Sequence, residues 1–282
     1  MPLPPAPSDS VVLPSRASER VDICRVREPV IGTTVDVADW DNALDRVHAW
    51  ALEGNSRYVC FCNVHALVTA RSNPKFSFAL SQADFVAPDG APVAWMLRRM
   101  GHLRQRRVYG PDFFWAYLKG AERTGEPIYL LGSSLETLTR LTEVVLATFP
   151  RLQIAGAYSP PFRPFTEDED RAMVNAINAS GAKTVWVSLG CPKQEIWMAA
   201  HHGSVRAVMV GVGAAFDFHA GTVRQAPKWV RDAGLEWFFR LTTEPRRLWR
   251  RYLYTNTMFV FLGARQLLER AATRFRSESA GH

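Results

Sequence analysis

The chain is poor in cysteine. Cys24, Cys60, Cys62 and Cys191 are all it has in 282 residues, and their spacing forms no disulfide framework. Cys60 and Cys62 alternate on a candidate buried strand, which fits free thiols in a reducing compartment. Long hydrophobic runs are missing too. The longest, Tyr252–Ala264, has 13 residues, whereas a helix needs about 20 to cross a bilayer. Such a run lies in a membrane interface or docks on the body. The N-terminal MPLPPAPSDS is Pro-rich and acidic rather than basic, without the apolar core of a signal peptide. Residues 1–20 therefore read as a disordered leader.

Metal-ligand patterns are also lacking. His65, His201, His202 and His219 have no ligand spacing, and no Asp-x-Asp pair ends a strand. We expect no bound metal and no cofactor. His201 and His202 fall at a helix end and read as surface caps; Asp36, Asp39 and Asp41 read as caps at the mouth of an early helix. There is no Walker A loop and no full Gly-x-Gly-x-x-Gly fingerprint; GVGAAF, from Gly211, lacks the third glycine. No Lys-rich tract or common nucleic-acid module occurs, so no nucleic acid is expected as partner.

What is present is charge in one place. Residues 1–223 hold 22 Lys/Arg and 22 Asp/Glu, and residues 224–282 hold 12 and 5. The net +7 thus belongs to the tail. There Arg240, Arg246, Arg247, Arg250 and Arg251 alternate with Trp237, Phe238, Phe239, Leu248 and Trp249. A neutral body with a basic, aromatic-rich appendage points to an anionic surface or a phosphorylated substrate. A second basic patch, Arg98–Arg107, is either a solvated loop or part of that same face.

Between these ends, short β-rich runs alternate with longer amphipathic ones. Strands are expected at Val30–Val35, Tyr58–Cys62, Phe85–Ala87, Ile128–Leu131, Leu152–Ala157, Thr184–Leu189 and Ala207–Val212. Helices are expected between them, including Trp40–Glu53, Ala66–Arg71, Leu135–Thr148, Glu167–Ala179 and Lys193–His201. Strands alternating with helices read as βαβ units, giving an α/β fold with a Rossmann-like parallel-sheet core. The division expected is leader 1–20, α/β catalytic domain 21–233 and basic amphipathic helical, membrane-associating appendage 234–282.

Ligands of such sheets bind beyond the carboxyl ends of the strands. Five exits carry unusual chemistry. Asn63 follows one strand. Asp89, between Pro88 and Gly90, is either a turn residue or an exposed general base. Gly132 opens a Gly-Ser-Ser turn. Gly190–Glu195 (GCPKQE) is either a plain strand–helix junction or an anion site, with free N–H groups, Lys193 for charge and Gln194 for paired hydrogen bonds. Gly213 and Asp217 stand at the last exit.

Taken in order, PDG at 88–90, GCPKQE at 190–195, GVGAAFDFHAG at 211–221, RQAPKW at 224–229 and LEWFFRLTTEPRRLWRRY at 235–252 resemble the WecG/TagA/CpsF family of bacterial glycosyltransferases. The resemblance covers roughly residues 29–255. It implies metal-independent, inverting transfer of a hexosyl unit from a UDP-sugar to a polyprenyl-diphosphate-linked saccharide in surface polysaccharide assembly. The place implied is peripheral, on the cytoplasmic face of the bacterial inner membrane. Carried over by position, Asp89 is the implied base. Gln194 and Asp217, with Gly190 and Gly213, are the implied nucleotide residues, and Arg240, Arg247 and Arg250 close over the donor diphosphate. Those arginines lie at i, i+7 and i+10 and share one face if the segment is one helix, while Pro245 is placed to restart a helix after Glu244. Relatives with teichoic acid activity carry Thr-x-Asn where this chain has Phe61–Cys62–Asn63. Asn63 is kept and the hydroxyl is replaced, so glucose stands beside N-acetylmannosamine as donor sugar. A non-catalytic nucleotide-binding assembly protein is the alternative, and a monomer and a homo-oligomer are equally compatible with the sequence.

Overall fold

The computed structural model describes residues 25–279. Six strands form one parallel sheet, in the order β4 (Phe85–Pro88), β3 (Arg57–Cys62), β8 (Val208–Gly211), β7 (Thr184–Ser188), β5 (Ile128–Gly132), β6 (Ile154–Tyr158). Helices cover both faces, which is why these strands are apolar on both sides. Alternate residues serve the two layers. Tyr58, Cys60 and Cys62 pack on one face, where α2 (Val64–Ser72), α3 (Pro74–Ser81), α4 (Ala91–Arg99), α7 (Glu167–Ser180) and α8 (Lys193–Ala200) lie. Val59, Phe61 and Trp186 pack on the other, against α1 (Trp40–Glu53), α5 (Gly110–Thr124), α6 (Leu135–Thr148) and the short α9 (Ala215–His219).

The expected α/β architecture with a parallel sheet is present. One expected strand differs. Val30–Val35 is a hairpin of β1 (Arg27–Val30) and β2 (Thr33–Asp36), outside the main sheet. Ile31 and Gly32 turn it with φ of 45° and 94°, the conformation that two-residue hairpins require. Asp36 is no helix cap. It is buried, ion-paired with Arg25 and Arg27, and accepts from the Val86 N–H at 2.7 Å. Asp39 does cap α1. Thr166 caps α7 with a reciprocal bond from Glu169, and the first turn is acidic, which suits the helix dipole. His201 is pinned between Asp170 and the Trp197 carbonyl, both at 2.8 Å, rather than lying free on the surface.

The tail comprises α10 (Lys228–Asp232), α11 (Glu236–Thr243) and α12 (Pro245–Ser279). Pro245 begins α12, since its ring suits a first turn and Glu244 breaks the preceding helix. α12 lies on α2. Leu248, Thr255 and Phe259 are buried there, at the i, i+7 and i+11 spacing of one helix face. Gln266 anchors it further by accepting from the Ile31 N–H at 2.7 Å. Trp249, Leu253, Tyr254, Val260 and Phe261 remain exposed. Among the described residues, no helix is long and apolar enough to cross a membrane.

Candidate active site

The carboxyl ends of β4, β3, β8, β7 and β5 make one continuous edge, and the chemistry collects along it. β5 leads through α6 to β6 at one side of the sheet, while β7 leads through α8 to β8 on the other. Connections that diverge between neighbouring strands leave a crevice at their exits.

At the β4 exit, the Asp89 N–H donates to the Cys62 carbonyl at 3.0 Å, which sets the turn between two strand ends. Gly90 follows at φ 94° and opens α4. Asn63 caps α2, its Oδ1 accepting from the Ala66 N–H at 3.1 Å, and its side chain favours the ionised form of the nearby Asp89 carboxyl. Burial raises the Asp89 pKa to about 7, and the Glu236 carboxylate adds to the shift. Arg107, Asn63 and the Gly90 N–H oppose it. A carboxylate that gains a proton near neutrality is suited to general base catalysis.

Phe61 is buried, edge-on to Phe113 at 5.3 Å and close against Gly110.

The second group lies two to four strand spacings along the edge from the β4 exit, about 10–19 Å. Gly132 has φ 116°, and a Cβ there would fall 2.3 Å from the Ser188 carbonyl oxygen. The Ser133 N–H donates to that same oxygen at 2.9 Å, and Ser133 itself takes φ 62°. A non-glycine residue held there marks a turn over-determined by its surroundings. The Ser133 hydroxyl donates to Asp217 at 3.1 Å, and the Ser188 hydroxyl to the Gly213 carbonyl at 2.7 Å. These bonds tie the β5, β7 and β8 exits together. Gly190 and Gly213 both take positive φ. Gln194 is buried beside Gly211 and Gly213; its Nε2 donates to Glu195 at 2.9 Å, and its Oε1 has no partner among the described residues. Lys193 is exposed, on the wall of a cavity of about 500 Å³ that also touches Ser133, Ser188 and Trp197.

The three tail arginines part company. The helix break at Glu244 prevents the single face expected of a continuous helix. Arg240 is half-buried, its guanidinium 5.5 Å above the Phe218 ring, next to Asp217 in α9. Arg247 meets it through Glu244, at 2.6 Å from that carboxylate. Arg250 is exposed and stacks on Trp249 at 5.2 Å. Arg251 instead turns inward, toward His65 and Cys191. Burial first, and then this guanidinium, push the His65 pKa down to about 4. Glu236, Tyr109, Arg107 and Arg251 are thus site neighbours that the motifs did not assign. Only the basic patch around Arg107 and the run of tail arginines signalled any of them. Among the described residues, no group of three His, Cys, Asp or Glu side chains could hold a metal ion.

The edge thus has a carboxyl of raised pKa at one end, glycine turns in the middle and Arg240 reaching it from the tail, a set that suits transfer from a diphosphate-linked donor. Comparison with known proteins agrees. The WecG/TagA/CpsF glycosyl transferase family matches residues 28–273. An N-acetylglucosaminyldiphosphoundecaprenol N-acetyl-beta-D-mannosaminyltransferase from Bacillus spizizenii is 33% identical over 202 residues, covering 71% of this chain and 76% of the relative. The chain belongs to the WecG/TagA/CpsF family and is a glycosyltransferase.

Proposed function

We propose that the chain transfers a hexosamine of the N-acetylmannosamine type from its UDP-sugar to a polyprenyl-diphosphate-linked saccharide, with inversion. The relative from Bacillus spizizenii is named for N-acetyl-beta-D-mannosaminyl transfer to N-acetylglucosaminyldiphosphoundecaprenol. The observation that carries the reading is Asp89, poised near neutrality beside Asn63 at the end of the cleft. In this scheme the acceptor hydroxyl attacks the anomeric carbon as its proton passes to Asp89. The bond from that carbon to the diphosphate oxygen breaks, and UDP leaves.

The Rossmann-like edge orders the donor. Its sugar lies by Asp89 and Asn63, and its diphosphate by the N–H groups near Gly190 and Gly213. Its nucleoside lies toward Gly132, Gln194 and Asp217, with Lys193 at the rim. Arg240, with Arg247 behind it, meets the charge that grows on the departing diphosphate. Arg250 belongs with Trp249, Leu253 and Tyr254 to an exposed basic and aromatic face that suits an anionic membrane surface, where each Lys or Arg contributes roughly 1 kcal/mol. This reading makes the enzyme peripheral to the cytoplasmic side of the inner membrane, with residues 234–282 as the appendage that joins catalysis to that surface.

The test is a panel of UDP-sugars with an undecaprenyl-diphosphate-linked N-acetylglucosamine acceptor, scored by release of UDP. UDP-N-acetylmannosamine is expected to lead. Asp89→Asn is expected to lower turnover by about 10²–10⁴-fold, the range of a lost general base, with UDP binding kept. A variant with near-normal turnover would remove Asp89 from this role.

A further inference from the structure

Asp89 has an acidic neighbour from the far end of the chain. Glu236, the first residue of α11, accepts a hydrogen bond from the Tyr109 hydroxyl at 2.8 Å and lies 3.6 Å from Arg107. Both partners sit on the segment before α5 that runs beside β4, where the Val108 N–H donates to the Pro88 carbonyl at 2.9 Å. Tyr109 is buried, and Gln225 donates to its oxygen at 3.4 Å, which leaves the phenol proton to Glu236. The backbone fixes the same approach. A Cβ on Gly234 would fall 2.8 Å from that of Ala91, just beyond the Pro88–Gly90 turn.

The groups facing Asp89 come from five elements. Glu236 arrives from α11, Arg107 and Tyr109 from the segment before α5, Asn63 from α2, the Gly90 N–H from α4, and the Cys62 thiol from β3. After burial, Glu236 is the largest influence against ionisation of Asp89. Arg107 cannot cancel it, because its guanidinium also pairs with Glu236 and stacks on Tyr109 at 4.6 Å.

We propose that Glu236 is a positioning residue for Asp89: seated on Tyr109 and Arg107, it sets a second carboxylate beside the base and makes proton uptake depend on a docked α11. The proposal rests on Asp89 being the base. A carboxylate crowded by a like charge binds an abstracted proton more firmly. α11 also carries Arg240, so one docked helix serves both the proton and the departing diphosphate.

The experiment measures kcat/KM against pH for the full-length chain, with UDP-N-acetylmannosamine and a short-chain polyprenyl-diphosphate N-acetylglucosamine acceptor. The wild-type acid limb is expected near pH 7. In Glu236→Gln it moves to lower pH by on the order of one unit. Glu236→Asp, which keeps the charge, restores it, and Tyr109→Phe moves it part of the way. A folded Glu236→Gln with an unmoved limb overturns the proposal; if that variant does not fold, an unmoved limb in Tyr109→Phe does so. Asp89→Asn separates the two levels. If it retains turnover, the base assignment itself fails; if it is inactive while the limb of Glu236→Gln stays at the wild-type pH, only the role of Glu236 fails.

Discussion

The carboxamide of Gln194 donates to Glu195 at 2.9 Å, and beyond that bond the outer oxygen of each side chain has no partner among the described residues. Glu195 is 1% exposed, with the thiols of Cys60, Cys62 and Cys191 around it and, among the described residues, no cation paired to it. Burial is the main cause that raises its pKa to about 7, although Gln194 and a backbone N–H work against it.

That shift ties stability to pH. A carboxyl whose folded pKa exceeds its ordinary value stabilises the fold at low pH, and this stabilisation is lost as pH rises through about 7. Glu195→Gln removes the titration. Its stability relative to wild type is expected to improve by about 3 kcal/mol between pH 4 and pH 8. Denaturant melts across that range measure this, and parallel curves for the two proteins would reject it.

The tail arginines are expected to separate by assay. Arg240→Ala takes a half-buried cation from over the Phe218 ring and should lower kcat by about 10–10³-fold, even with a detergent-dispersed acceptor. Arg250→Ala removes an exposed cation and should leave that assay nearly unchanged. It should instead weaken binding to anionic vesicles about fivefold, the equivalent of roughly 1 kcal/mol. Vesicle sedimentation and UDP release, run on both variants, check the division; equal effects in both assays would contradict it.

Gly132→Ala should damage the centre of the cleft without touching a charge. Its φ of 116° and the 2.3 Å approach to the Ser188 oxygen leave no room for a methyl group. The expected cost is about 1–3 kcal/mol of stability, with a greater loss of UDP affinity because Ser133 and Asp217 move with the turn. Calorimetric titration with UDP would show it, and unchanged affinity would mean that the nucleotide lies elsewhere.

Much of the edge was legible because glycine, proline and capping residues punctuate it. Gly190, Gly213 and Gly90 mark strand ends by the positive φ that other residues avoid, and Thr166 with Glu169 marks a helix start. The hairpin at Ile31 was hidden because an isoleucine holds a conformation its side chain disfavours. The restart that Pro245 signalled is present, so the condition for a shared arginine face is not met: Glu244 and Pro245 divide one helical pattern into two helices. Asp36 read as a cap by its neighbours in sequence, yet its partners Arg25, Arg27 and Val86 meet it only once β2 lies along β4.

The sequence by itself determined the alternation that buries both faces of each strand, the residues at each strand exit and the placing of all surplus charge in the tail. These are properties of a few neighbouring residues, whose periodicity and backbone preference act locally. Tertiary structure decided which exits adjoin, since sheet order depends on how the crossover helices pack. It also brought Glu236 to Tyr109 across 127 positions and turned Arg251 toward His65 while leaving Arg250 in solvent. Charge and desolvation act through distance in space, so the proton affinity of Asp89 belongs to the folded edge and to no segment of the chain alone.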